Sequence, residues 1–194
     1  MRSGATWFLA ATFCTGLAGT SSPARAQAPS WEQLNADGIK LFEKGRYSEA
    51  EQRFLSALKK AQQLGQANTR LASTLNNLAM VYRIEGRYSE AEPLQKRALE
   101  TNQKILGPSG PAVAADLNNL AILYRATGRY DSALPLQERA LAIDEKTSHP
   151  QPRAVARDLQ NLAAFYEMQG RYTQAEPLCE RREYPDVCSA AGRS

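Results

Sequence analysis

Histidine and cysteine are scarce in this 194-residue chain, which has one histidine and three cysteines. Metal sites and proton transfer rely heavily on these residue types, and the two cysteines near the C-terminus, Cys179 and Cys188, make a poor metal site without a supporting histidine cluster. The single histidine, His149, lies between a serine and a proline with no acid or cysteine near it in sequence, which favours a linker role over catalysis. Because no nucleophile–base pair is evident either, we predict that the protein is not an enzyme, needs no cofactor and binds no metal.

Long apolar runs are absent beyond the first residues. The apolar stretch at residues 7–17 follows Arg2 and precedes a small-x-small pattern that ends at Ala26, which is the order of regions in a secretory signal peptide. It is shorter than the roughly 20 apolar residues of a membrane-spanning helix. We therefore predict a signal peptide at residues 1–26, cleaved after Ala26, and export to the bacterial periplasm or the cell exterior. A buried N-terminal helix or a retained anchor is the alternative.

Charge of one sign is not concentrated in any segment. Lys and Arg number 24 and Asp and Glu number 20. Removal of the leader takes away two arginines, Arg2 and Arg25, and no acid, so the mature chain is nearly neutral. Non-specific binding of nucleic acid needs a clustered basic surface, and we predict no nucleic-acid partner.

What the sequence does contain is a repeat. Gly-Arg-Tyr occurs four times, at residues 45–47, 86–88, 128–130 and 170–172. The stretch before it recurs as well, since Leu-Asn-Asn-Leu-Ala at 75–79 and 117–121 returns as Leu-Gln-Asn-Leu-Ala at 159–163. A fixed period of this length indicates stacked supersecondary units, each packing against its neighbours.

Each unit is predicted to form two helices. The apolar residues before Gly-Arg-Tyr follow the i, i+3, i+4, i+7 spacing of one helical face, as at Leu75, Leu78, Ala79 and Tyr82. The glycine then ends the first helix, because it adopts a left-handed conformation at little cost. The second helix is predicted to begin with a Ser/Thr-x-x-Glu capping box, or Asp131 in unit three, and to hold a proline in its first turn. The boxes are Ser48/Glu51, Ser89/Glu92 and Thr173/Glu176, and the prolines are Pro93, Pro135 and Pro177.

These recurring residues resemble the tetratricopeptide-repeat pattern, and the longer period resembles the kinesin-light-chain variety of that repeat. In unit two the matching residues are Leu78, Ala79, Tyr82, Gly86, Tyr88, Ala91 and Ala98. The resemblance covers residues 31–181 and implies an all-α fold, an α-solenoid of stacked antiparallel helix pairs with about four repeats. We place the units near residues 31–62, 69–106, 111–147 and 152–183, in a repeat domain at 27–183 with an irregular tail at 184–194.

The resemblance also implies a protein–protein interaction module or adaptor that binds an extended peptide segment of another protein in its concave groove. The first helix of each unit is expected to line this groove. The predicted peptide-binding residues are Asn76, Asn77, Arg83, Asn118, Asn119, Arg125 and Asn161. A side-chain amide donates and accepts, so a ladder of asparagines can hold a peptide backbone, and an arginine can bind a carboxylate. The alternative is that the asparagines are structural and bond to neighbouring helices or loops.

The fourth unit departs from the pattern. Arg182 and Glu183 stand where units two and three have Ala-Leu, so the last helix is expected to fray or stop there. Cys179 and Cys188 either form a disulfide, as an exported protein allows, or are unrelated thiols. An uncapped last unit also leaves two other functions open: a structural assembly unit that self-associates through this end, or an accessory fragment of a larger enzyme or signalling protein.

Overall fold

The computed structural model describes residues 28–65, 68–147 and 151–181, and every regular element in these ranges is an α-helix. The helices are α1 (Trp31–Glu43), α2 (Tyr47–Gln63), α3 (Thr69–Ile84), α4 (Tyr88–Leu106), α5 (Pro111–Ala126), α6 (Tyr130–Lys146), α7 (Pro152–Met168) and α8 (Tyr172–Cys179). They pair in chain order, so unit one is α1 and α2, unit two is α3 and α4, unit three is α5 and α6, and unit four is α7 and α8. The all-α solenoid expected from the repeat is confirmed.

Each helix packs mainly on the helices before and after it in the chain, and α1 also contacts α3. The small residue at the same position of each second helix is buried, as at Ala50, Ala91, Ala133 and Ala175. Leucines and tyrosines of the first helices fill the space around these alanines. The core therefore consists of several apolar clusters along the stack, as expected when each unit covers one face of the next.

The glycine of each Gly-Arg-Tyr ends the first helix as predicted. Gly45, Gly86, Gly128 and Gly170 have φ between 70° and 74°, a conformation that side chains with a Cβ disfavour. The next arginine donates its backbone N–H to the carbonyl of a residue in the last turn, for example Arg87 to Tyr82 at 2.8 Å. The short turn fixes the antiparallel return of the second helix.

The predicted capping boxes of the second helices are wrong. The N-cap of α2, α4, α6 and α8 is the arginine of Gly-Arg-Tyr, with no side-chain capping bond, so Ser48, Ser89, Asp131 and Thr173 are second helical residues. The physical reason lies in the next unit: Glu51 and Glu92, expected to bond back within their own helices, instead bind Arg87 and Arg129. The capping box that does form is Ser30 with Gln33, at the start of α1.

The prediction that the prolines occupy the first turn is also wrong. Because the helices begin at the tyrosine, Pro93, Pro135 and Pro177 are each the sixth residue and lie inside the helix. A proline there leaves the carbonyl four residues earlier without its helical donor. All three prolines are exposed, so that carbonyl can reach water.

Several predictions fall outside the described residues: the signal peptide at 1–26, the linker residue His149 and the tail at 184–194. The last described helix ends at Cys179, before Arg182, where the pattern fails. No helix in the described ranges is both long and apolar enough to cross a membrane.

Candidate peptide-binding groove

The predicted groove residues lie on three first helices, α3, α5 and α7. A cleft of about 80 Å³ between units two and three brings four of them together, namely Asn76, Asn77, Arg83 and Asn119. Ala79, Met80, Gln95 and Leu123 complete its lining. The other three predicted residues, Asn118, Arg125 and Asn161, do not line this cleft. The seven residues therefore form one small site with outlying positions rather than a uniform ladder.

Two of the asparagines bond across the junctions between units. Asn77 Nδ2 donates to Asn35 Oδ1 of unit one at 2.9 Å, and Asn161 Nδ2 donates to Asn118 Oδ1 of unit three at 2.8 Å. Asn118 itself is buried. These amides connect neighbouring first helices, which is the structural role left open by the sequence.

The junction between units two and three breaks this pattern. Asn76 stands where Asn35 and Asn118 stand in their units, but its Oδ1 accepts from Gln95 Nε2 at 2.5 Å and its Nδ2 donates to Asp116 at 2.5 Å. Asn119, the equivalent of Asn77 and Asn161, forms no hydrogen bond within the described ranges and is exposed. Its amide is left free to donate and accept at the mouth of the cleft.

The two predicted arginines occupy equivalent positions on α3 and α5. Arg83 lines the cleft and is half-buried. Loss of solvent, with a smaller contribution from the positive charge of Arg125, lowers the pKa of the Arg83 guanidinium. The guanidinium carbon of Arg125 lies 5.4 Å from the centre of the Phe165 ring. Among the described residues neither arginine has a carboxylate partner, so both keep donors free for an anion.

A buried polar layer between the units was missed by the sequence analysis. Gln95, Asn102 and Asp116 are buried at the junction of units two and three, and Gln137, Asp144 and Asp158 at the next junction. Each residue of the second set lies 42 positions after its counterpart. A comparison of the repeats would have revealed the polar residues, but their depth follows only from the packing of the helices.

Cys179 is disulfide-bonded. The other cysteines of the chain, Cys14 and the predicted partner Cys188, lie outside the described residues. Within the described ranges, no three histidine, cysteine or acidic side chains are grouped so that they could hold a metal ion.

The chain is similar to known proteins over these same helices. The tetratricopeptide-repeat family matches residues 70–146, and a second description of the repeat matches residues 156–181. The crystal structure of BtubC (BKLC) from P. vanneervenii matches with a TM-score of 0.74 and 28% identity, over 84% of this chain and 65% of that one. The chain thus spans less than two thirds of the length of BtubC.

A second solved structure agrees in fold. A putative kinesin light chain from Podosopora anserina, with nearly identical TPR-like repeats, matches with a TM-score of 0.68 and 23% identity, over 84% of this chain and 77% of that one. No curated protein matches the chain. Tetratricopeptide repeats generally mediate protein–protein interaction and are typically non-catalytic. By the matched repeats and the helix pairs that they form, the chain belongs to the tetratricopeptide-repeat proteins, with repeats like those of kinesin light chains.

Proposed function

We propose that the protein is an exported, non-enzymatic adaptor that holds an extended, acidic segment of another protein in the cleft between units two and three. The observation that carries the proposal is the set of unused donors at this cleft: the free amide of Asn119 beside the unpaired guanidinium of Arg83. Asn119 is exposed and Arg83 is partly exposed, so in the free chain water bonds to these donors. A ligand that supplies acceptors would form direct hydrogen bonds with these donors in place of water.

The amide of Asn119 suits a peptide backbone. An asparagine side chain donates through Nδ2 and accepts through Oδ1, so it can pair with the carbonyl and the N–H of one extended residue. Met80 and Leu123 line the same cleft and give a side chain of the bound segment an apolar contact. This pairing does not depend on the ligand's side chains, so it provides affinity without strict sequence selection.

The arginines suit a negatively charged side chain. Arg83 and Arg125 lie close enough that the charge of one acts on the other, which is unfavourable until an anion neutralises it. A guanidinium can bind a carboxylate through two parallel hydrogen bonds. We therefore expect aspartate or glutamate in the held segment, next to the residue that pairs with Asn119.

Export to the periplasm or the cell exterior is the proposed location, supported by the order of charged, apolar and small residues at 1–26. Fractionation of the native cell with measurement of the intact mass gives the test. We expect a mature chain beginning at Gln27 outside the cytoplasm. A full-length chain in the cytoplasm would contradict the location and leave the cleft hypothesis standing.

Photo-crosslinking on this exported chain tests the cleft. A photoreactive amino acid at Met80 should capture a segment rich in aspartate or glutamate, identified by mass spectrometry, and the same group at the exposed Ser132 on α6 should not. Asn119→Ala combined with Arg83→Ala should lower capture at least tenfold without changing the melting temperature. The matched control is Asn161→Ala, whose amide is bonded to Asn118 and should affect stability more than capture.

Capture that is unchanged in the Asn119→Ala, Arg83→Ala chain, or that yields basic segments, would overturn the proposal. Self-association through the last unit remains the alternative. A dimer in sedimentation, with no segment of another protein captured at Met80, would favour it.

A further inference from the structure

The buried polar layers at the last two junctions of the stack differ at one repeat position, where Asn102 is replaced by Asp144. Between units two and three, Asp116 accepts from Asn76 Nδ2 at 2.5 Å and from Asn102 Nδ2 at 2.7 Å, one bond to each carboxylate oxygen. Between units three and four, Asp158 occupies the place of Asp116, but Asp144 occupies the place of Asn102. An amide donor is therefore replaced by a second carboxyl group, which accepts only unless it carries a proton.

The second carboxyl group leaves the junction of units three and four short of donors. The Asp158 side chain is 0% exposed and its Oδ2 has no hydrogen-bond partner. The Oε1 atom of Gln137, which is also buried, has none either. Arg157 partly compensates, at 2.8 Å from Asp158 Oδ1 and 3.4 Å from Asp144 Oδ2. One cation faces two carboxylates, and one proton between them would remove the excess charge.

The arginine of Gly-Arg-Tyr at this junction also lacks the glutamate that it binds at the earlier junctions. Arg87 of unit two binds Glu51 of unit one at 3.0 Å, and Arg129 of unit three binds Glu92 of unit two at 2.7 Å. The equivalent glutamate in unit three is replaced by Leu134. Arg171 of unit four therefore bonds to Gln174 and Gln169 of its own unit, at 2.5 and 3.0 Å.

We propose that the junction of units three and four is a pH-sensitive joint, which is tight while Asp144 and Asp158 share a proton and loosens when both are ionised. The proposal stands on the position of the pair in the buried layer and on the missing bridge from the arginine of Gly-Arg-Tyr to the previous unit. It concerns the coupling of the units and does not depend on what the cleft binds.

The surroundings of the pair contain few other charges. Arg157 on α7 is the cation that acts on both carboxyl groups. From α5, Pro111 and Ala115 line the adjoining surface and are neutral, and from α6 the nearby Gln137 is neutral too.

Helix α8 packs on α7 through residues that do not titrate. They are Ala175, Leu178 and Cys179, and the cysteine does not titrate because it is disulfide-bonded. At the rim, Arg181 is already paired with Glu145.

The direction of the pH effect follows from burial. Loss of solvent, against the opposing charge of Arg157, raises the pKa of Asp158 from 3.8 to about 6, and it raises the pKa of Asp144 as well. A carboxyl group with a raised pKa in the folded state stabilises that state fully below its unfolded pKa. This contribution is lost as the pH rises from about 4 through about 6. The joint should therefore be closed in acid and loose at neutral pH.

Hydrogen exchange of the full chain, read by mass spectrometry and corrected for the intrinsic rate at each pH, tests the joint. For α7 we expect roughly thirtyfold less protection at pH 7.5 than at pH 4.5, from a folded pKa of about 6 against 3.8. Helix α3, at the junction of units two and three, should change less, because hydrogen bonds from Asn76 and Asn102 oppose the rise that burial causes in the pKa of Asp116. Equal protection of α7 at both pH values would overturn the proposal.

The repeat itself supplies the matched variants. Asp144→Asn restores the donor that Asn102 provides, so the protection of α7 should become nearly independent of pH and rise at pH 7.5. Asn102→Asp should make the protection of α4 and α5 depend on pH in the same way. If this variant folds only in acid, circular dichroism would show the same effect as a loss of helix at neutral pH. An Asp144→Asn chain that keeps the wild-type ratio between the two pH values would contradict the proposal.

Discussion

Departures from the repeat at single positions are explained by the residues that face them. Unit one has Gly38 where the other units have alanine, and Phe54 where they have Gln95, Gln137 and Cys179. A Cβ built on Gly38 would lie 2.5 Å from Cε1 of the Phe54 ring. Phe54 is fully buried, so it has no room to move. The large ring and the missing methyl group thus compensate each other inside one unit.

This compensation gives a prediction for Gly38→Ala. In the wild-type chain the overpacking should outweigh the roughly 1 kcal/mol that alanine adds to a helix, and lower the free energy of unfolding by about 1–2 kcal/mol. In a Phe54→Gln background, which copies the pairing of units two and three, the same change should raise the free energy of unfolding. Urea unfolding of the four chains measures both effects, and a loss of equal size in both backgrounds would contradict the explanation.

At the scale of elements, the arginine of each Gly-Arg-Tyr links one helix pair to the previous one. Arg129 lies with its guanidinium carbon 4.2 Å from the centre of the Tyr124 ring and binds Glu92 across the junction. Hydrogen bonds from Arg129 and Lys96 lower the pKa of Glu92 to about 2. A carboxyl group with a lowered pKa stabilises the folded state above its unfolded pKa of 4.5, and this contribution is lost as the pH falls toward 2.

We therefore expect Glu92→Gln to lower the free energy of unfolding by about 1 kcal/mol at pH 7. The difference from wild type should shrink as the pH falls from 4.5 toward 2. Glu100→Gln is the matched control, because Glu100 pairs with Lys104 within one exposed helical surface and should contribute less than about 0.5 kcal/mol. Denaturant unfolding across the pH range gives the measurement, and a pH-independent difference for Glu92→Gln would argue against the bridge.

For the whole molecule, the stability of each unit is coupled only to that of the units next to it. Apart from a contact between α1 and α3, the main helix contacts join elements that are adjacent in the chain. In such an array, stability is close to a sum of units and junctions. The Glu92 bridge and the Asp144–Asp158 pair also respond to pH in opposite directions, since acid weakens the bridge and tightens the pair. We expect the two halves of the chain to open separately.

Ala175→Leu tests this independence. Ala175 is 3% exposed and packs against α7, so the larger side chain should destabilise unit four by about 1–3 kcal/mol. Hydrogen exchange should become faster in α7 and α8 and stay unchanged in α1 and α2. Faster exchange in α1 as well would mean that the chain unfolds as one unit.

The sequence alone determined the helices, their pairing and their turns, because these depend on local signals that recur four times. The apolar spacing and the glycine of Gly-Arg-Tyr act within one unit, so the repeat was sufficient to predict them. The starts of the second helices were predicted wrongly for the opposite reason. Two of the glutamates that suggested capping boxes, Glu51 and Glu92, bind the arginine of the next unit, and this pairing exists only between units.

The predicted groove shows the same limit. Asn77, Asn119 and Asn161 occupy equivalent places in the repeat, and the sequence predicted one role for all three. The packing of the units gives Asn77 and Asn161 a partner on the first helix of the preceding unit. The corresponding partner of Asn119 would be Asn76, but the Asn76 amide is already hydrogen-bonded to Gln95 and Asp116, so Asn119 is left free. The sequence thus determined which side chains recur along the first helices. Only the tertiary structure decided which of them hold the stack together and which remain available, because each hydrogen bond depends on the residue that the neighbouring unit places opposite.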